Sequence, residues 1–231
     1  MSARYVLIPG AGGSAWYWHR VVSLLTAAGV DVRAIELPAA DEAADLNAYA
    51  DIACRAVADA AEPVVVVGQS MGAFTAPMVA ARVPTSRLIL VNPMVPSPGE
   101  SAGQWWEATG QKQAMVANFR RIGLGDKTFD PVEDFFHDVP ADLRAEAFSQ
   151  PEPPQSDTPF EQPWPLPAWP QVPTVVVQGS DDRLLPLDFQ RRVVRDRLGL
   201  DLDVMPGGHL MALSQPDELA RRLLAAGGAS A

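Results

Sequence analysis

Four consecutive valines, residues 64–67, run directly into the sequence Gly68-Gln69-Ser70-Met71-Gly72. An apolar strand that ends in Gly-x-Ser-x-Gly and continues into a helix, here over residues 73–81, is typical of a tight turn that exposes a reactive serine. Glycine is favoured at both ends of the pattern because side chains there would clash across the turn or force a disfavoured backbone. The pattern therefore predicts Ser70 as a nucleophile at the edge of a sheet.

A second stretch, Gly99-Glu100-Ser101-Ala102-Gly103, matches the same pattern. Here the preceding residues include Pro93, Pro96 and Pro98, and proline is rare inside strands. Because no strand leads into this serine, we interpret the second match as a coincidence in a loop.

The rest of the chain alternates predicted strands and helices. Strands are predicted at residues 5–8, 30–37, 64–67 and 88–91, with helices from about Ala15, over residues 46–60 and after Gly72. Strands that are apolar on both faces favour a parallel sheet covered by helices on both sides. The sequence therefore predicts an α/β fold.

The alternation stops at Asn92 and resumes at Thr174, a gap of roughly eighty residues that is far too long for an ordinary connection. Ten of the 22 prolines lie from Pro140 to Pro173, and helical composition is confined to about residues 104–122 and 131–148. We expect residues 93–172 to form an inserted lid on a core of residues 1–92 and 173–231. In that core, strands are predicted again at 174–178 and 202–205, with helices over 187–198 and from Pro216.

A serine nucleophile needs a base that removes its proton, and the chain offers three histidines. His19 lies inside the first predicted helix, where a surface or packing role is expected. His137 lies in the predicted lid, where it either contacts substrate or packs. His209 follows a short predicted strand through Pro206-Gly207-Gly208, and these glycines allow the loop to bend its imidazole over the end of the sheet. We interpret His209 as the base.

The base in turn needs a carboxylate that holds its tautomer and stabilises the imidazolium. Two aspartates, Asp181 and Asp182, follow the predicted strand at 174–178, between the serine and the histidine in the chain. We favour Asp182 as this acid, with Asp181 as the alternative.

Backbone N–H groups are the best donors for the oxyanion of a tetrahedral intermediate, because they need no reorganisation. We expect one from Met71, directly after the nucleophile, and one from Ala11, in the glycine-rich loop of residues 9–14. The same loop does not fit a phosphate cradle, since it has neither Gly-x-Gly-x-x-Gly nor the lysine of a P-loop.

Aromatic residues are concentrated in the predicted lid and indicate an apolar pocket for a small hydrophobic ester. Lids also need cores of their own, so we assign at least half of these aromatics to packing. The candidate pocket residues are Trp105, Trp106, Phe135, His137 and Trp164.

The formal charge of −10 disfavours nucleic acid and anionic membrane surfaces as partners. We expect a cytoplasmic location for three reasons. The chain has a single cysteine, Cys54, its start does not resemble a signal peptide, and it contains no apolar run of about 20 residues. No histidine, cysteine and carboxylate cluster has metal-ligand spacing, so neither a metal nor a cofactor is expected. Both a monomer and a homodimer are compatible with this sequence.

The order of Ser70, an inserted segment, Asp182 and His209 resembles the α/β-hydrolase fold superfamily over nearly the whole chain outside the lid. The opening residues 6–18, VLIPGAGGSAWYW, resemble the small esterase group that includes plant methylesterases and hydroxynitrile lyases. This resemblance implies the same triad and the same two oxyanion amides. Two departures stand out: the family's usual His-Gly is Pro9-Gly10 here, and two early strands are absent. The sheet should therefore have about six strands, all parallel.

The expected reaction is ester hydrolysis through an acyl-enzyme on Ser70. A thioesterase on acyl-carrier or coenzyme A thioesters is the alternative, with Arg120 and Arg121 as the only conspicuous basic pair in the predicted lid. A hydroxynitrile lyase and a noncatalytic ligand receptor remain further alternatives on the same fold. Epoxide hydrolases and haloalkane dehalogenases of this fold use an aspartate at the position of Ser70, so they are disfavoured.

Overall fold

The computed structural model describes residues 4–151 and 154–228; the outer ends of the predicted core, 1–3 and 229–231, and residues 152–153 of the predicted lid lie outside this range. Its centre is one six-stranded sheet in the order β2-β1-β3-β4-β5-β6, and every pair of neighbours is parallel. The strands are β1 (Arg4–Ile8), β2 (Asp31–Ala34), β3 (Val64–Gln69), β4 (Thr85–Val91), β5 (Thr174–Gly179) and β6 (Leu202–Met205). The prediction of about six parallel strands is confirmed.

Helices cover both faces of this sheet. They are a 3₁₀ helix (Ala15–Trp18), α1 (His19–Ala27), α2 (Leu46–Ala56), α3 (Gly72–Ala80), α4 (Ala102–Thr109), α5 (Gln111–Arg121), α6 (Pro131–Phe135), α7 (Ala141–Ser149), α8 (Thr158–Glu161), α9 (Leu187–Leu198), α10 (Met211–Ser214) and α11 (Pro216–Gly227). Successive strand side chains point to opposite faces. Val64 and Val66 of β3 accordingly pack in the core with α2, α3 and α9, whereas Val65 and Val67 pack in the core with α1 and α11.

Several elements differ in length from their predictions. The helix predicted over residues 46–60 ends at Ala56, and the strand predicted at residues 88–91 begins at Thr85. The strand predicted at residues 30–37 ends at Ala34, because only four of its residues pair with β1 and Leu37 then donates its N–H to the carbonyl of Gly13. The helix predicted over residues 104–122 is two helices, α4 and α5. Gly110 between them has a left-handed backbone (φ +69°), which ends the first helix.

The residues between β4 and β5, which we call the 93–172 segment, form helices α4 to α8. The predicted helix over 131–148 is likewise divided, into α6 and α7, with Pro140 directly before the second helix. Two tryptophan side chains of the segment are buried: the indole N–H of Trp105 donates to the carbonyl of Val95 at 2.8 Å, and that of Trp164 to the carbonyl of Phe74 in α3 at 2.9 Å.

Ser101, in the second Gly-x-Ser-x-Gly match, has a structural role that the loop interpretation missed. Its hydroxyl accepts a hydrogen bond from the amide of Gln104, and the Gln104 side chain accepts one from the amide of Ser101. This reciprocal pair is a capping box that starts α4. The match is still unrelated to a nucleophile, but its last two residues are helical and its serine is a cap.

Among the described residues, none of the helices has the length and apolar character that a membrane crossing requires.

Candidate active site

Ser70 lies at the carboxyl end of β3, in the turn that leads into α3. Its backbone is left-handed (φ +52°), a conformation that in the described part of the chain only Asn92 shares among residues other than glycine. The amide of Ser70 donates to the carbonyl of Val91 at the end of β4, which fixes the turn against the neighbouring strand. Strained backbone at a sharp strand-to-helix turn is the geometry that exposes a nucleophilic hydroxyl.

The glycines around the turn are required by close contacts, as the sequence predicted. A Cβ added at Gly68 would lie 2.7 Å from the carbonyl oxygen of Gly72, across the turn. A Cβ at Gly72 would instead meet the loop after β1, 2.6 Å from the carbonyl oxygen of Pro9. The second contact shows that Gly72 also lets the loop after β1 approach the turn at Ser70.

His209 lies on the loop after β6, and its imidazole faces Ser70. Its Nε2 is 3.0 Å from the Ser70 hydroxyl oxygen, and its Nδ1 is 2.7 Å from a carboxylate oxygen of Asp182. All three residues are buried, with Ser70 the most accessible at 8%. A neutral imidazole with its proton on Nδ1 can accept the serine proton on Nε2.

The alternative between Asp181 and Asp182 is decided geometrically in favour of Asp182. Its second carboxylate oxygen accepts hydrogen bonds from the amides of Leu184 and Leu185, both at 2.9 Å, so the group is oriented from both sides. Asp181 points elsewhere: its carboxylate accepts from the hydroxyl of Ser180 at 2.8 Å. The structure therefore brings together the serine, histidine and preferred aspartate of the prediction.

The loop after β1 lies against the nucleophile, where the oxyanion amides were predicted. A Cβ added at Gly10 would be 3.0 Å from the Cβ of Ser70. Within the described residues, neither the amide of Ala11 nor that of Met71 donates to a protein acceptor. The neighbouring amide of Gly12, by contrast, is bound to the side chain of Gln155 at 2.9 Å. Two amides beside the serine are thus free to donate hydrogen bonds to a ligand oxygen.

The five candidate pocket residues separate into four groups, of which His137 forms the last. Phe135 lies over the triad, with its ring centroid 5.1 Å from that of His209. Trp105 and Trp164 are 0% and 1% exposed, so their assignment to the pocket is corrected to packing. They are enclosed because the segment is seated on the core through them. Trp106 is half-buried and packs edge-on against Trp105 at 5.2 Å.

His137 lies behind the triad, on the side of the acid. It lines a cavity of about 350 Å³ together with Asp181, Asp182 and Arg183, whereas Ser70 does not line this cavity. Its Nε2 is 4.0 Å from the carboxylate of Asp138. The structure therefore places this predicted pocket residue beside Gly208 and in a cavity that Ser70 does not line. His19 has the predicted packing role, since its ring stacks on Trp16 at 4.7 Å.

Tyr17 is a buried titratable group close to this site. Burial raises its pKa well above the usual range, and the nearby carboxylates of Asp182 and Asp138 raise it further, although a hydrogen bond from the amide of Ala212 opposes them. The phenol is therefore neutral throughout the working range of an enzyme.

Sequence reasoning missed three residues that contact the site's loops: Asn92, Asp138 and Gln155. Asn92 and Asp138 contact the histidine loop, and Gln155 contacts the loop after β1. A signal existed only for Asn92, because it is the first polar residue after an apolar strand that neighbours the nucleophile strand. In the described part of the chain, no group of three or more histidine, cysteine or acidic residues could hold a metal ion.

Comparisons with known proteins identify a family and several relatives. A family model described as the alpha/beta hydrolase family matches residues 5–222. Probable esterase PIR7A of Oryza sativa subsp. indica is 33% identical over 110 residues, which cover 43% of this chain and only 42% of the rice protein. Methyl jasmonate esterase 1 of Vitis vinifera is 24% identical over 247 residues, covering 95% of this chain and 94% of that protein.

Solved structures show the same fold at low sequence identity. Polyneuridine aldehyde esterase superposes with a TM-score of 0.77 at 21% identity, covering 97% of this chain and 99% of that chain. The pyrethroid hydrolase of Sphingobium faniae JZ-2 superposes with a TM-score of 0.76 at 20% identity, covering 99% and 98%. The methylesterase protein MES16 from Arabidopsis gives a TM-score of 0.76 at 21% identity, covering 98% and 99%.

Proposed function

This chain belongs to the alpha/beta hydrolase family, and on that premise we propose that it hydrolyses carboxylic esters through an acyl-enzyme on Ser70. The observation that carries the proposal is the continuous hydrogen-bonded chain from the Ser70 hydroxyl through His209 to the Asp182 carboxylate. Three residues that are far apart in sequence meet at one edge of one sheet, in the order of proton transfer that acyl transfer requires.

In the first step, the Ser70 oxygen attacks the ester carbonyl carbon while its proton moves to Nε2 of His209. The carbonyl oxygen becomes an oxyanion, which accepts hydrogen bonds from the amides of Ala11 and Met71. The bond to the leaving alkoxy group then breaks, and that oxygen takes the proton from His209. Asp182 stabilises the imidazolium formed in between, since its carboxylate is 2.7 Å from Nδ1.

In the second step, a water molecule attacks the acyl-enzyme carbonyl and gives one proton to Nε2 of His209. Collapse of this second intermediate breaks the bond to Ser70, and the serine oxygen recovers its proton from His209. The products are a carboxylic acid and an alcohol. The reaction uses no group beyond the triad, the two amides and water.

We propose a small hydrophobic ester as substrate and the 93–172 segment as the lid that encloses it. Phe135, from α6 of this segment, presents an aromatic ring directly beside the base, where one part of the ester must lie. The relatives named for methyl jasmonate and polyneuridine aldehyde support an ester of a medium-sized apolar acid. A substrate panel should therefore begin with methyl and ethyl esters of aromatic and cyclic acids.

The decisive test is Ser70→Ala, with Ser101→Ala as the matched control in the second Gly-x-Ser-x-Gly match. We expect the first variant to lose ester turnover by about 10⁴-fold or more and to lose labelling by a serine-directed phosphonate. The control removes only a helix cap, so it should lose about 1 kcal/mol of stability and keep both its turnover and its labelling. Retained hydrolysis in Ser70→Ala contradicts the proposal.

A graded series of acyl thioesters in the same panel separates the esterase from a thioesterase. Their acyl carriers are anionic, and Arg121 is a candidate contact because in the described residues it has a hydrogen bond only to the side chain of Asn118. A kcat/KM for thioesters above that for matched oxygen esters assigns the thioesterase instead.

A further inference from the structure

Asn92 is the first residue after β4, and its side chain is fully buried. Its backbone is left-handed (φ +43°), which costs energy for most residues and is best tolerated by asparagine, aspartate and glycine. The hydrogen bonds of its side chain hold Asn92 in this strained conformation at the carboxyl edge of the sheet.

All polar groups of the Asn92 side chain are used, and two of its three contacts are to the histidine loop. Nδ2 donates to the carbonyl of Gly208 at 2.9 Å and to the carbonyl of His209 at 3.0 Å. The side-chain oxygen accepts a hydrogen bond from the amide of Gly179, at the end of β5, at 2.8 Å. One amide group therefore joins the ends of β4 and β5 to the backbone that carries the base.

The histidine loop needs such an outside contact because its own sequence cannot fix it. Gly207 has φ +128° and Gly208 has no side chain, so the two residues before His209 have little intrinsic conformational preference. On the opposite side, the amide of Gly208 donates to the carboxylate of Asp138 at 2.6 Å. Gly208, the residue before the base, is thus bound at its carbonyl by Asn92 and at its N–H by Asp138.

Resting on the triad mechanism above, we propose that Asn92 is a positioning residue that sets the distance between His209 Nε2 and the Ser70 hydroxyl. Ser70 itself is attached to the same strand end, since its amide donates to the carbonyl of Val91. Contacts to the end of β4 therefore position both Ser70 and His209. A displacement of about 1 Å in such an arrangement costs on the order of a hundredfold in rate.

Only an amide satisfies these contacts. Aspartate has the same shape, but it turns an oxygen instead of an N–H group toward the two carbonyls of the loop, and both contacts become repulsive. Glycine removes the side chain while keeping a residue that accepts positive φ. Asn92→Asp keeps the shape of the side chain and loses the two donated hydrogen bonds, whereas Asn92→Gly loses the side chain and keeps a backbone that accepts positive φ. Together the two variants separate the effect of the hydrogen bonds from the effects of side-chain shape and backbone strain.

The experiment measures kcat and KM for the best ester of the panel in both variants, together with the rate of labelling by the phosphonate. We expect kcat and the labelling rate to fall about 10-fold to 100-fold in Asn92→Gly and further in Asn92→Asp, with KM within about twofold of wild type. The control is Gln190→Ala, because Gln190 is buried and donates to Pro93 and Gln178 without contacting the histidine loop. It should lose stability and keep its kcat.

The outcomes distinguish this inference from the mechanism on which it rests. If Ser70→Ala is inactive and both Asn92 variants keep kcat within threefold of wild type, the positioning role is wrong and the mechanism stands. The positioning role is also wrong if the Asn92 variants and Gln190→Ala lose equal stability and show the same decline in kcat. Both declines would then follow from the loss of stability. A wild type without turnover or labelling overturns both.

Discussion

The sheet and the 93–172 segment obtain their structure in different ways. Strands β1, β3, β4 and β5 are largely buried and apolar on both faces, so they form a continuous core with the helices that cover the sheet. The helices of the segment are short, from 4 to 11 residues, and such helices are marginal in isolation. Ser70, Asp182 and His209 all lie on loops at the edge of the sheet, whereas Phe135, whose ring lies beside His209, comes from the segment.

Several side chains attach the segment to the rest of the protein, and we call five of them the anchor residues. They are Trp105, Asp134, Asp138, Gln155 and Trp164. Outside these contacts the segment has exposed apolar side chains, including Val132 at 47% and Phe148 at 50%. The sheet therefore carries Ser70, Asp182 and His209, while the anchor residues determine how the segment lies over these three residues. Changing an anchor should therefore affect stability or the surroundings of the triad.

The largest effect is expected for Trp164→Ala. This side chain is fully enclosed and donates to a carbonyl of α3, the helix that begins after the nucleophile. Truncating a buried tryptophan costs about 3–5 kcal/mol of unfolding free energy. Urea denaturation followed by far-UV circular dichroism measures the loss, and Phe148→Ala, half exposed in the same segment, should change it by less than about 0.5 kcal/mol.

The same denaturation experiment also tests whether the segment and the sheet unfold together. If Trp164→Ala unfolds in two steps, with the second at the wild-type midpoint, the segment unfolds independently of the sheet. We expect one transition, because the indole of Trp164 packs in the same apolar core as β3 and α3.

The prediction of the sheet is confirmed, and the three side chains predicted as a triad lie together at its edge, for one physical reason. Ser70, Asp182 and His209 each follow an apolar strand, and in a parallel sheet all strands end at the same edge. The periodicity that locates the strands therefore also locates the site. Asp181 stayed an alternative because adjacent residues differ only in direction, which is decided by the amides of the following loop.

The surroundings of the site were predicted less well, because they depend on packing between distant parts of the chain. Trp105 and Trp164 were expected beside substrate, yet how deeply an aromatic side chain is buried depends on which core it meets. Asn92 was unrecognised because its partners, Gly179 and Gly208, are backbone groups 87 and 116 residues away. Its place directly after an apolar strand marks a polar residue at the sheet edge, but a backbone partner leaves no pattern that identifies the contact.

A smaller effect is expected for Asp134→Asn, which tests the ionic anchor. Asp134 is fully buried and lies 2.9 Å from Lys127 and 3.1 Å from Arg183, the residue after the triad acid. Breaking a wholly buried pair costs about 3–5 kcal/mol, and because both cations are 23% exposed we expect about 2 kcal/mol here. The control Glu133→Gln removes an exposed contact to the same lysine and should cost less than about 0.5 kcal/mol.

This ionic anchor also predicts a dependence of stability on pH. Burial alone would raise the pKa of Asp134, but hydrogen bonds from the amide of Asp130 and from Lys127 and Arg183 outweigh burial and lower it. A lowered folded-state pKa adds stability above the ordinary value of about 3.9, and this stability disappears as the pH falls through the folded-state value. The difference in unfolding free energy between wild type and Asp134→Asn should shrink from pH 6 toward pH 3. A constant difference over this range contradicts the ionic origin.

The smallest effect is expected for Gln155→Ala, and it falls on catalysis. The Gln155 side-chain oxygen accepts a hydrogen bond from the amide of Gly12, while its N–H groups donate to Tyr49 and Ser156. Gly12 follows Ala11, the proposed oxyanion donor, so Gln155 orients the loop without touching substrate. Direct oxyanion donors contribute about a hundredfold or more to kcat, and we expect an indirect one to contribute about threefold to tenfold.

Gln162→Ala is the matched control for this prediction, because Gln162 is also a glutamine of the segment that accepts a hydrogen bond from a core amide. Its partner is the amide of Leu46, at the start of α2. If the segment acts on catalysis only through the oxyanion loop, Gln155→Ala lowers kcat at unchanged KM and Gln162→Ala does not. Equal kcat values in the two variants would mean that the sheet alone holds Ala11 in place. The segment would then have no effect on kcat through the loop after β1, although Gln155 contacts that loop.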